Sequence, residues 1–188
     1  MHFELEGEIL MKYVAFIRGI NVGKNKLIPM DDLKTHFSDM GFSNIKTYLR
    51  SGNIIFESDS LDIDEIEEKI SNKIEKSFGF WAECIVKTKK DFYSIITNNP
   101  YGDNQKEELY ITLFKEKVDE NLSKELIKEY KNIDTDDKFI IAEKEVYLLL
   151  KSKYHKTKFN NNYFESKLNN ISTTRSLKTM LKIKEILV

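Results

Sequence analysis

The chain contains a single cysteine, Cys84, so no internal disulfide can form, and it has neither a CxxC pair nor a zinc-type Cys/His pattern. A reducing, cytoplasmic setting is the compartment this implies. No run of 18 or more apolar residues occurs, which excludes a membrane-spanning helix of ordinary length. The start has no basic stretch leading into an apolar one, the pattern of a secretory signal. Residues Met1 to Leu10 read instead as an acidic leader ahead of Met11, an alternative start that lies outside the expected fold. An excess of one charge is also missing: 30 Lys plus Arg stand against 31 Asp plus Glu, a formal net charge of -1. There is thus no global field to draw in nucleic acid or an acidic membrane surface, and any anion site has to be local.

What is present is a regular alternation of strand and helix patterns. Tyr13 to Ile17 is a short run of branched and aromatic residues, as in a buried strand. Pro29 opens a helix with Leu33, Phe37 and Met40 on one face, closed by Gly41. Ile45 to Arg50 alternates, placing Ile45, Thr47 and Leu49 on one side, and Asn53 to Glu57 returns after Ser51-Gly52, which predicts a hairpin. Ile63, Ile66, Ile70, Ile74 and Phe78 recur at helical spacing up to Gly79, and Trp81 to Val86 supplies a fourth strand. This order is the split βαβ, ferredoxin-like arrangement.

A short helix over Asp91 to Thr97 leads into Asn98 to Asn104, the only linker-like stretch. The order then begins again with a strand at Leu109 to Phe114, a helix carrying Leu122, Leu126, Ile127 and Tyr130, and a hairpin of Phe139 to Ala142 with Val146 to Leu150. A helix near Phe159 to Leu168 follows, then only Asn170 to Ser172 where a fourth strand belongs, then a last helix from Thr174. The expected fold class is α+β, with two tandem ferredoxin-like units over residues 11–98 and 105–188, antiparallel sheets and a C-terminal helix. The second unit reads as a topological repeat that has lost or shortened its final strand.

The most informative count concerns arginine, which occurs only at Arg18, Arg50 and Arg175 beside 27 lysines. Lysine covers the solvated surface, so a position that keeps a planar guanidinium with five donors is one where a point charge would not serve. Arg18 opens Arg18-Gly19-Ile20-Asn21-Val22-Gly23-Lys24, Arg50 opens Arg50-Ser51-Gly52-Asn53, and Arg175 lies in Thr173-Thr174-Arg175-Ser176. Glycine and small hydroxyl residues beside each let backbone N–H groups approach a ligand. In a split βαβ sheet the end of strand 1 and the hairpin joining strands 2 and 3 share an edge, so Arg18 and Arg50 are expected on one rim with Lys24, Lys26, Asn21 and Asn53. That rim suits a phosphate or carboxylate. Arg175, in the first turn of the expected last helix, opposes the helix dipole, and a bound anion beside Thr174 would reverse the sign.

Each feature has a plainer structural alternative. Arg18 and Arg50 fit a salt bridge or a capped carbonyl, Ser51-Gly52 fits an ordinary hairpin turn, and Arg175 fits a bridge to a glutamate. Cys84 alternates with Ala82 and Val86 on a strand and reads as a core thiol. Gly19 to Lys24 is one residue short of a Walker phosphate loop, and Asn25 stands where a hydroxyl residue is needed. Asn53 to Glu57 lacks the basic-Gly-aromatic string of an RNA recognition motif. His36 and His155 have no carboxylates at ligand spacing, so no metal site is expected, and Tyr154-His155-Lys156 reads as a solvated basic loop.

At Tyr13 to Gly23, Tyr48 to Asn53 and Thr173 to Arg175 the chain resembles the bacterial family known as domain of unknown function 1697. The similarity runs from about Met11 to Leu187 and departs at Ser176-Leu177, where that family usually places Asn and an aromatic residue. The resemblance implies that Met1 to Leu10 is additional, and it implies no activity, cofactor or catalytic residue. Three functions are compatible with these residues. The first is a binding module for a small anion, nucleotide or nucleic-acid end. The second is a hydrolase or transferase of phosphorylated substrates, with no base or nucleophile evident beside the arginines. The third is a structural or protein-interaction role.

Overall fold

The computed structural model describes residues 10–102 and 108–188. The acidic leader up to residue 9 and Asp103-Asn104 of the linker-like stretch lie outside the described residues. The chain divides into two compact units, one running to Asp91 and the other starting at Phe92.

The first unit has the order β1 (Met11–Ile17), α1 (Met30–Asp39), β2 (Ser43–Tyr48), β3 (Asn53–Ser58), α2 (Ile63–Phe78) and β4 (Cys84–Thr88). Its antiparallel sheet runs β2-β3-β1-β4. Alternation puts Tyr13, Ala15 and Ile17 of β1, Ile54 and Phe56 of β3 and Cys84 and Val86 of β4 into one cluster. Leu33 and Phe37 of α1 and Ile66, Ile70 and Ile74 of α2 cover it. Each such fully buried side chain contributes about 1.5–3 kcal/mol. The α2 helix starts at Asp62, whose carboxylate accepts from the Glu65 N–H at 3.1 Å, and stops at Gly79 with φ +75°.

Two sequence expectations shift here. Leu49 does not continue the inward face of β2: it leaves the strand in the left-handed region at φ +58° and is exposed. Trp81 is not in the fourth strand, which begins at Cys84, and the residue is 39% exposed. Cys84 is buried in the core as expected.

The stretch α3 (Lys89–Thr97) contains the division between the units, upstream of Asn98 to Asn104. Its Phe92, Ile95 and Ile96 are buried, and the Tyr147 hydroxyl donates to the Ile95 carbonyl at 2.8 Å, which ties the later turns of the helix into the second unit.

The second unit repeats the topology with β5 (Leu109–Phe114), α4 (Glu120–Tyr130), β6 (Lys138–Ile141), β7 (Glu145–Leu149), α5 (Asn161–Leu168) and β8 (Ser172–Ser176), followed by α6 (Leu177–Ile186). Its sheet runs β6-β7-β5-β8. A fourth strand is therefore present, contrary to the expectation that it was lost or shortened, and its five residues equal those of β4. Five residues of Ser-Thr-Thr-Arg-Ser carry no apolar alternation, yet β8 pairs with β5 from Tyr110↔Ser176 to Phe114↔Ser172. Its buried hydroxyls are satisfied by hydrogen bonds, so the strand needs no apolar side chains to sit in the sheet. Threonine's β-branch also favours the extended backbone.

The two sheets correspond pair by pair. Phe16↔Asn53 and Ile17↔Cys84 in the first unit match Leu113↔Glu145 and Phe114↔Ser172 in the second. The Ile17 N–H donates to the Gly52 carbonyl at 2.8 Å, and the Phe114 N–H donates to the Lys144 carbonyl at 2.9 Å. Arg18 N–H to Glu83 carbonyl, 2.8 Å, has its counterpart in Lys115 N–H to Ile171 carbonyl, 2.9 Å. Both units are thus ferredoxin-like to the level of register. Among the described residues no helix is long and apolar enough to cross a membrane.

Candidate functional site

The edge of the first sheet where β1 ends is built from three segments: the β1–α1 connection, the β2–β3 turn and the α2–β4 connection. Asn21 joins the first two. Its backbone sits in the left-handed region at φ +56°, which asparagine tolerates, and its N–H donates to the Lys26 carbonyl at 3.0 Å. The side-chain Oδ1 accepts from the Ile28 N–H at 2.8 Å, while Nδ2 donates to the Ile28 carbonyl at 3.0 Å and to the Arg50 carbonyl at 2.8 Å. Both amide hydrogens and the carbonyl oxygen are thereby engaged within the fold.

Asn53 plays the matching part in the turn. It is 1% exposed, and its Nδ2 donates to the Tyr48 carbonyl at 2.9 Å and to the Ser51 hydroxyl at 3.0 Å. Both asparagines lie on the edge where the sequence places them, and their Nδ2 groups satisfy loop carbonyls that would otherwise go unpaired, which holds the two loops in place.

Gly52 is the close-approach point of this edge. It is buried with φ +74°, and a Cβ there would stand 2.9 Å from Ile20 Cδ1 and 3.0 Å from both Cβ and the carbonyl oxygen of Ile17. Only a residue without a side chain lets the turn lie against β1. Gly19, by contrast, is exposed with φ +69° and open space around it. Gly23 and Lys24 are the middle of a small turn in which the Asn25 N–H faces the Val22 carbonyl at 3.4 Å, and both are exposed.

The basic side chains are distributed over this scaffold. Arg18 is half-buried where β1 ends, with its backbone bonded to Glu83. Arg50 and Ser51 are exposed on the β2–β3 turn, and among the described residues the Arg50 guanidinium makes no hydrogen bond or ion pair. Sequence reasoning missed the third segment, Phe80 to Glu83. Lys26 Nζ donates to the Trp81 carbonyl at 3.0 Å and lies 5.4 Å over the Phe80 ring, and the Trp81 indole N–H donates to the Glu83 carboxylate at 2.7 Å. The signal was present as the chain's one tryptophan just after a helix-ending glycine.

Thr174 and Arg175 belong to the second unit. They lie on β8, not in the first turn of a helix, so the macrodipole gives no reason for a cation there to need an anion. Arg175 Nη1 donates to the Thr173 hydroxyl at 2.7 Å and to the Thr174 carbonyl at 2.9 Å. The Thr174 hydroxyl donates to Asn161 Oδ1 at 3.1 Å and receives the Thr112 hydroxyl at 2.8 Å. Ser172 completes this group, with its hydroxyl 3.0 Å from Asn161 Oδ1 and its N–H 2.7 Å from Glu165 Oε1. Among the described residues no group of three or more His, Cys, Asp or Glu side chains could hold a metal ion.

The family model described as "Protein of unknown function (DUF1697)" matches residues 10–147. That match takes in the whole first-unit rim and ends in β7, ahead of Thr173 to Arg175. No curated protein matches the chain. Among solved structures, the conserved bacterial protein SP0830 from Streptococcus pneumoniae is similar with a TM-score of 0.74 at 21% identity, covering 95% of this chain and 99% of that one. At that identity the likeness speaks for the fold.

Proposed function

Because this chain belongs to the DUF1697 family of proteins of unknown function, its role has to be read from the rim itself, and we propose that it is a binding module for a small anion, a nucleotide or a nucleic-acid end. The ligand-contacting groups are Arg18, Arg50 and Lys24, with the backbone of Gly19 and Gly23 and the Ser51 hydroxyl beside them. Asn21, Gly52 and Asn53 set the positions of the loops. Thr174 and Arg175 form a separate candidate contact on the second unit. The tandem arrangement is read as an internal duplication in which the first copy kept the arginine rim.

One observation carries this reading. The Arg50 backbone is held by Asn21 at 2.8 Å while the guanidinium stands exposed with no hydrogen bond or ion pair among the described residues. An arginine paired within the fold has no fork left to offer, whereas this one has its backbone fixed and its fork open to an anion, which must order the side chain as it binds.

Thermal-shift screening against pyrophosphate, sugar phosphates, nucleotides and short oligonucleotides tests it, run at two salt concentrations with the wild type and Arg50→Lys. An anion that raises the melting temperature of the wild type and not of the variant is the expected result. A panel without any stabilising anion, or equal shifts in both proteins, overturns the assignment of Arg50.

A further inference from the structure

The three segments of the rim combine two features. Residues 18–28, 49–53 and 79–83 carry Arg18, Lys24, Lys26 and Arg50 against Glu83 alone, in a chain whose total charge is -1. The same segments expose large apolar side chains: Val22, Leu27, Leu49 and Trp81. A site for an inorganic anion needs the charge and gains nothing from exposed apolar groups, which are more often turned inward.

Trp81 is the most informative of these. Its indole N–H, the one polar group of the ring, is already taken by the Glu83 carboxylate at 2.7 Å. The side chain is anchored on that side and the residue is still 39% exposed, so what the indole has left to offer a ligand is aromatic surface and no donor. Two further contacts fix the segment to the cationic loop. The Glu83 carbonyl accepts from the Arg18 N–H at 2.8 Å, and the Trp81 carbonyl accepts from Lys26 Nζ at 3.0 Å. The aromatic surface and the basic side chains therefore sit on one hydrogen-bonded frame.

Resting on the anion-binding reading above, we propose that the rim takes a nucleoside phosphate, with the base stacked on Trp81 and the phosphate met by the arginines and Lys24. Stacking of a base on an aromatic side chain is sequence-tolerant, because every base offers a π-face, and adjacent cations meet the phosphate. A free nucleotide and the end of a single strand share this chemistry.

Trp81 is the chain's single tryptophan, so its fluorescence reports on this site alone. The test titrates the full chain with AMP, ribose 5-phosphate, pyrophosphate and a short oligoadenylate. AMP is expected to quench the fluorescence and to bind about tenfold or more tightly than ribose 5-phosphate. In calorimetry Trp81→Ala should lose that advantage, Trp81→Phe should keep part of it, and both should bind pyrophosphate as the wild type does. An oligoadenylate that binds more tightly than AMP and with a steeper salt dependence identifies a strand as the source; equal binding identifies the free nucleotide. Equal affinity for AMP and ribose 5-phosphate, or a preference that survives Trp81→Ala, overturns the stacking role. If pyrophosphate still binds through Arg50 in that case, the anion site stands without it. If none of the four probes binds, both fall together.

Discussion

The side-chain amide of Asn21 donates to the backbone carbonyl of Arg50 at 2.8 Å, across 29 residues of sequence. This bond ties the connection after β1 to the turn between β2 and β3, and it fixes the base of an arginine whose guanidinium is left outside. The same amide satisfies both the N–H and the carbonyl of Ile28, just ahead of α1.

Removing that amide separates its two contributions, backbone conformation and hydrogen bonding. Asn21→Gly keeps the left-handed backbone and loses three hydrogen bonds, so it should destabilise the first unit by about 1–3 kcal/mol. Cys84, buried in that unit and the chain's only thiol, supplies the readout. Its labelling by a thiol reagent in moderate urea should accelerate in the variant, whereas an unchanged rate would show that the amide holds nothing.

Gly52→Ala tests the close approach. The added methyl meets Ile17 and Ile20 at 2.9–3.0 Å and must also accept φ +74°. Overpacking and backbone strain together predict a loss of about 1–3 kcal/mol, seen as a lower urea midpoint. Gly19→Ala has open space around it and only the backbone conformation to contend with, so it should cost less. Equal costs would mean that the packing against β1 is not what selects glycine at 52.

Much of this architecture was legible in the sequence, and what was hidden has physical reasons. Period-2 runs and helical spacing with Pro29, Gly41 and Gly79 at the ends marked most elements, because burial and capping leave strong patterns. The β8 strand left none, since Ser172, Thr173 and Thr174 are held by hydrogen bonds to Asn161, Glu165, Thr112 and Arg175 rather than by apolar burial. Leu49 and Trp81 broke the rule that apolar residues beside a strand continue it, because both belong to the loops of the rim. The roles of Asn21 and Asn53 were invisible because hydrogen-bond partners 5 to 29 residues away have no signature in composition.

The second unit has its own internal anchor in Asp137. Its carboxylate accepts from the Lys151 and Ser152 N–H groups and from the Ser152 and Thr157 hydroxyls, at 2.7–3.2 Å. Burial works against the charged form, but the Thr157, Ser152 and Lys151 hydrogen bonds outweigh it and hold the carboxyl below its ordinary 3.8. Since the folded value is depressed, the stabilisation is present above the ordinary carboxylate range and is lost as pH falls through the folded value. Asp137→Asn should therefore destabilise by about 1–3 kcal/mol at neutral pH and less toward pH 2, measured by urea unfolding across that range. A pH-independent difference would contradict the role of the charge.

At the alkaline end, burial and then the neighbouring Glu145 push the Tyr147 phenol up to about 12. The raised folded value means that its contribution is intact below pH 10 and declines as pH rises through 12. Ultraviolet difference titration of wild type against Tyr147→Phe should assign the missing phenolate signal to the region near 12. A missing signal near 10 would show the ring to be solvated.

The claim on which the functional account depends is that the exposed Arg50 fork meets an anion. Calorimetric titration with pyrophosphate at low salt, on the wild type and on Arg50→Lys, measures this directly, with melting temperatures taken alongside. The account predicts binding that weakens about tenfold or more in the variant, the loss of one charge-assisted fork, at an unchanged melting temperature. Equal affinity in the two proteins, or a fall in melting temperature that accounts for the loss, would contradict it.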